Sequence, residues 1–244
     1  MARNRKKTGK RKKQGNYSLK PVLTAAVCMI IFKILLIPVT TWKGFGYLLL
    51  PFSLYLVWFA LWQAVIPGIV SGKAGVKLRM GKVSALQRMA VQWLLLSVAA
   101  GGVAAFLLSK VTTEIMAVSG NSLVRLGLSV LPLTAWVMAP LGVLRGLISG
   151  TGYGRMTAVS LVSEQLLAGG IGILVARLLF QSGEKASLVY GNPDYPAAFA
   201  AKGSMLGMGA GALVSLCFMV VFYRSSWKDT RRRALRNRMK NKKQ

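Results

Sequence analysis

Apolar and polar positions fall in long blocks along this chain. Six apolar runs stand out, at about residues 21–40, 45–70, 89–108, 126–148, 156–179 and 197–223. Each is long enough to cross a bilayer, which takes about 20 residues at about 1.5 Å rise per residue. The breaks between them are shorter. Trp42, Lys43 and Gly44 make a turn; Lys73, Lys77, Arg79 and Lys82 mark a connector over 71–88; Lys110, Glu114 and Asn121 mark the third break. A glycine-rich stretch over 146–154 joins the fourth and fifth runs into a helical hairpin, and 181–196 is the longest polar loop. The pattern predicts an all-α membrane protein: a six-transmembrane-helix bundle over 21–223, with tails at 1–20 and 224–244. Pro51 and Pro67 in the second run predict kinks, tolerated where neighbours re-satisfy the freed carbonyls.

Composition agrees with this pattern. The chain has 244 residues, 54% of them hydrophobic, and a mean hydropathy of +0.49. That is too apolar for an ordinary soluble domain. The charge balance, Lys+Arg 33 against Asp+Glu 5, gives +28. A specific nucleic-acid site is not expected from it, because nine of the basic residues lie in the first 20 positions and ten from Arg224 onward. Basic tails flanking apolar spans suit anionic membrane lipid. The positive-inside rule puts both termini, the 71–88 connector and the Arg145/Arg155 turn on the cytoplasmic side of a multi-pass plasma-membrane protein. No small-residue cleavage pattern follows the first run, so it reads as retained rather than as a signal peptide.

Candidate chemistry is sparse. The chain has no histidine and two cysteines, Cys28 and Cys217, each inside an apolar run. Neither a metal site, a cofactor, nor enzymatic activity is expected from such an inventory. Ionisable groups inside the spans matter more, because a charge there is costly unless paired, protonated or wet. Glu164, with Gln165 beside it, lies about two turns inside the fifth run. Three readings stand: a polar contact in a water-filled cavity, a carboxylate tied to Arg145 or Arg155 on the adjoining arm, or a side chain that snorkels to the surface. Lys33 sits mid-span in the first run, able to hold a phosphate as a point charge or to snorkel to a headgroup. Arg145 ends the fourth run, a two-pronged diphosphate clamp or a helix-end anchor. Arg125 and Arg177 read as snorkelling anchors, Gln63 and Gln92 as interhelical hydrogen-bonding groups, and Gly203, Gly207, Gly209 and Gly211 as a close-packing surface.

The hairpin motif LRGLISGTGYGRMTAVSLVSEQLL, through Arg145, Gly146, Gly150, Thr157, Ala158, Ser160, Glu164 and Gln165, resembles the fourth-to-fifth helix connection of polysaccharide-biosynthesis flippases. These are the stage V sporulation protein B-like branch of the multidrug/oligosaccharidyl-lipid/polysaccharide exporter superfamily. Weaker matches are the stretch 33–38 followed by Gly44 and Gly46, and Ala64 to Pro67 followed by Ser71 and Lys73. The resemblance covers about 25–225. It implies one lobe of a two-lobe exporter, with an inward-facing cavity that binds a lipid-linked saccharide through Lys33, Arg145, Glu164 and Gln165. The family carries two six-helix lobes and this chain one, and its first run lacks the expected glycine-rich opening. Alternating access rocks one repeat against another, so a second lobe or a homo-oligomer is the implied partner. A non-transporting scaffold of a cell-envelope complex, or an inactive half-transporter, is the alternative.

Overall fold

The computed structural model describes residues 18–119 and 123–242. Its helices are α1 (Lys20–Ala60), α2 (Ile66–Arg79), α3 (Val83–Ser119), α4 (Val124–Leu128), α5 (Leu131–Ile148), α6 (Gly154–Tyr190) and α7 (Tyr195–Lys242), with π-helical turns at Leu61–Val65 and Ser149–Tyr153. All regular structure among the described residues is helical. Four largely helical stretches, Lys20–Arg79, Val83–Glu114, Val124–Tyr190 and Tyr195–Met239, are long and apolar enough to cross a membrane.

Two of these stretches fold back on themselves. Thr41 has φ 66° and ψ 168°, outside any helix. Lys33 Nζ then lies 5.4 Å from the centre of the Phe52 ring, whereas a straight helix would separate the two backbones by about 28 Å. Gly152, at φ 97°, makes the second reversal and brings Arg145 against Glu164. Gly fits there because a side chain at that φ is strained. The turns collect at two ends of the bundle. At one end, Lys43 and Tyr47 meet Asp194. At the other, the Asn237 amide donates to the Leu78 carbonyl at 3.1 Å, and Gly81 (φ 68°) packs against the Arg238 backbone.

Burial separates the helices. Every residue of α5 from Leu141 to Ile148 is buried. By contrast α3 exposes Leu95, Leu96, Val103, Phe106 and Leu107, an apolar face that suits lipid. The tightest seam is antiparallel, between α6 and α7. Gly203 packs on Ala176, Gly207 on Gly172, and Gly211 on Ala168 and the Glu164 carbonyl. Small residues every four positions on both helices let the backbones touch, as the glycines from 203 to 211 predict.

Element boundaries differ from the sequence pattern in several places; the third break, marked by Lys110 and Glu114, is helical as far as Ser119. The 71–88 connector is helical to Arg79, with Val70, Ala74 and Leu78 buried along one face. The 181–196 loop is helical to Tyr190, ending where Gly191 adopts φ 67° and its N–H donates to Ser187 O at 2.9 Å. The fourth run is broken at 129–130, with Pro132 opening the new helix, a position where its missing N–H costs nothing. Finally, the basic segment from 224 is no separate element as far as Lys242; it continues α7, with Ser226, Thr230 and Ala234 buried. The basic segment at 1–20 lies outside the described residues apart from its last three.

Candidate functional site

Pro67 shapes the first part of the site. It has no N–H to offer the Gln63 carbonyl one turn back, and the π-helical turn Leu61–Val65 occurs at that point. The turn leaves Gln63 fully buried and facing α5, where its Oε1 accepts a hydrogen bond from Arg145 Nη1 at 2.6 Å. Gln92, the other expected interhelical partner, is exposed.

Arg145 is the hub. Its side chain and that of Glu164 are both 0% exposed, and Nη2 lies 2.6 Å from Glu164 Oε2. Nη2 also donates to Ser160 O at 3.0 Å, Ser160 Oγ at 2.9 Å and Ser215 Oγ at 2.8 Å, and Nε reaches Ser160 Oγ at 3.3 Å. The two serine hydroxyls bond each other at 2.8 Å, and Thr157 Oγ1 donates to the Arg145 carbonyl at 3.3 Å. A buried guanidinium is tolerable only with this density of partners, because desolvating a charge costs several kcal/mol or more. Neither Glu164 oxygen has a hydrogen bond of good angle among the described residues. The distance therefore marks a charge-to-charge contact, while the serines and Gln63 supply the directed bonds. Of the readings of Glu164, the contact with Arg145 is the one present.

Lys33 forms a second, separate constellation. It is 7% exposed and turned inward from α1. Its ammonium donates to Ser204 Oγ on α7 and lies over the Phe52 ring, a favourable place for a cation. Lys33, Gln165 and Ser204 line one cleft with Met29, Leu36, Gly169 and Gly172, at the meeting of α1, α6 and α7. The free space is about 10 Å³, room for about one water. Successive helical residues point about 100° apart. Glu164 can therefore face the Arg145 hub while Gln165 faces the Lys33 cleft. Arg145 and Glu164 do not line that cleft. Gln165 and Tyr55 are both buried.

The sequence pattern missed Ser204 and Ser215. One signal was present: Ser215 continues the four-residue spacing of Gly203, Gly207 and Gly211, and Ser160 does the same for Glu164, Ala168, Gly172 and Ala176. A serine in a row of small residues facing a charge is a hydrogen-bond donor at a seam. At the far end, Lys43 Nζ meets Asp194 Oδ1 at 3.1 Å, and Tyr47 donates to Oδ2 at 3.0 Å. The bond from Lys43, then that from Tyr47, holds the Asp194 carboxyl below the usual carboxylate range. Arg125 and Arg177 are exposed. No three His, Cys, Asp or Glu side chains among the described residues come together to hold a metal ion. No family model, curated protein or solved structure matches the chain.

Proposed function

We propose that this chain is one lobe of a flippase for a lipid-linked saccharide, crossing the plasma membrane six times with both termini cytoplasmic. The reversals at Thr41 and Gly152 support six crossings, since each turns one long helical stretch into two. The basic end, with Lys77, Arg79, Lys82 and the last turns of α7, supports a cytoplasmic assignment by the positive-inside rule. The observation that carries the transport reading is Lys33. A cation in mid-span is turned away from lipid and held with Ser204 and Gln165 at a cleft between helices. A diphosphate is the anion that such a point charge with neighbouring amide and hydroxyl groups fits. Arg145 and Glu164, named with them as substrate contacts, serve instead as the strut that fixes α6 and α7 against α5.

In the present conformation the cleft is closed to anything larger than water. Substrate entry requires α1 to move away from α6 and α7, and export requires a second lobe or a second copy to rock against. The test is a lipid-flipping assay in vesicles carrying a labelled lipid-linked saccharide diphosphate, with this chain alone and with a partner lobe. Transport should appear with the partner and fall by about tenfold or more in Lys33→Ala, the loss of roughly one charged hydrogen bond. Wild-type flipping by Lys33→Ala overturns the substrate role. The small cleft favours a second reading, a non-transporting scaffold or an inactive half-transporter, which predicts no flipping in either arrangement.

A further inference from the structure

The geometry points to a binding site for an anionic phospholipid headgroup in the cleft between the α2–α3 turn and the last turns of α7. This site is distinct from the Lys33 cleft and does not depend on transport. The helix α7 has 48 residues, about 72 Å at about 1.5 Å each, against a hydrocarbon core of about 30 Å. Its last turns therefore run past the bilayer surface. The tilted ring pair Tyr223 and Trp227, 5.7 Å between ring centres, marks the level where aromatic side chains favour the interface. From Trp227 to Arg238, α7 faces the α2–α3 turn and the first turns of α3 across a cleft of about 720 Å³.

Four cations line this cleft: Lys82, Arg88, Arg231 and Arg238. No carboxylate lines it, and no ion pair among the described residues engages any of the four. Ser84 and Gln87 add neutral hydrogen-bonding groups, and exposed Met80 and Leu235 add apolar surface. A free phosphate needs only the cations. The apolar flanks and the interfacial Trp227 favour a phosphate that arrives attached to acyl chains. Arg231, about one helical turn from Trp227, and Arg88 across the cleft would take the phosphodiester, since arginine matches two phosphate oxygens at once. The walls are held by the fold: Asn237 bonds the Leu78 carbonyl, and Gly81 admits the Arg238 backbone so closely that an added Cβ would sit 2.6 Å from its nitrogen.

The test titrates the full chain in neutral detergent with dioleoyl phosphatidylglycerol or dioleoyl phosphatidylcholine, reading bound lipid by native mass spectrometry. The variant is Arg88→Gln with Arg231→Gln. The control, Lys228→Gln with Arg232→Gln, removes the same charge, from α7 alone and outside the cleft. Phosphatidylglycerol should bind in preference to phosphatidylcholine, weaken about tenfold in the cleft variant, and change less than about twofold in the control. Equal weakening in both variants overturns the site in favour of diffuse attraction. Displacement of the lipid by millimolar inorganic phosphate overturns the lipid assignment in favour of a free anion. Should the double variant fail to fold, Arg88→Gln alone, at an exposed position, is titrated in the same way. Weaker phosphatidylglycerol binding then supports the site, and unchanged binding overturns it.

Discussion

At Arg145 a permanent charge sits where no solvent reaches, and its neighbours decide whether the bundle tolerates it. Removing one partner of a buried pair costs about 3–5 kcal/mol, whereas replacing both with apolar groups is often near neutral. Glu164→Ala should therefore lower the unfolding free energy in detergent by about that amount. The double variant Arg145→Met with Glu164→Leu should lose less than the sum of the singles. A double-mutant cycle of thermal unfolding measures the coupling, and a Glu164→Ala midpoint equal to wild type would remove the strut role. Asp194 predicts a smaller effect, because exposed pairs are worth little. Its carboxyl is held low in the folded state by Lys43 and Tyr47. The stability it adds is therefore present above the ordinary carboxylate pKa and is lost as pH falls through the depressed one. The thermal midpoint followed from pH about 5 to about 2 should show that loss in wild type, and Asp194→Asn should lack it. Lys33 and Glu164 were legible in the sequence because a charge inside an apolar run is rare. The serines that hold their neighbourhood were not, because serine is common in apolar helices and only its spacing marks it.

Among the elements, the seam between α6 and α7 is the most sensitive to substitution. Gly207 lies against Gly172 and the Ala168 carbonyl with no room for a side chain. Gly207→Val should separate the helices and cost about 1–3 kcal/mol, as overpacking does. Gly170, on the same helix pair but with nothing within 4 Å of where a Cβ would stand, should accept alanine with an unchanged or higher midpoint, since alanine favours helix. Comparable losses for both in the same thermal assay would contradict the seam. The hairpin of the fourth and fifth runs was readable from length and glycine content. The helix ends were not. Hydropathy blocks find the part of a helix that meets lipid. They miss its continuation into water, where cations cover a narrow buried stripe. Lys73, Lys77 and Arg79 masked Val70, Ala74 and Leu78 on α2, and the arginines from 231 masked Ser226, Thr230 and Ala234 on α7. The π-helical turn before Pro67 was foreseen only as a kink.

For the whole molecule, the ends carry the testable consequence. In a background lacking Cys28 and Cys217, a cysteine at Leu188, 86% exposed, should react with an impermeant thiol reagent added outside intact cells. One at Lys77 should react only after permeabilisation, and the reverse pattern would invert the topology. The α6–α7 seam also sets how the bundle can move. Its contact is peptide against peptide, so parting the two helices would strip both backbones of their packing at once, and they travel as a single blade. Around the Lys33 cleft the contact of α1 with that blade is made differently, by the Phe32 ring resting on Gly169 and by the long, bendable Lys33 side chain reaching Ser204. Side chains re-pack where backbones do not. The part of α1 that lines the cleft is therefore the yielding side of this bundle, and under the proposed flippase function Lys33 would be both the group that meets the substrate and the latch that releases Ser204 to admit it.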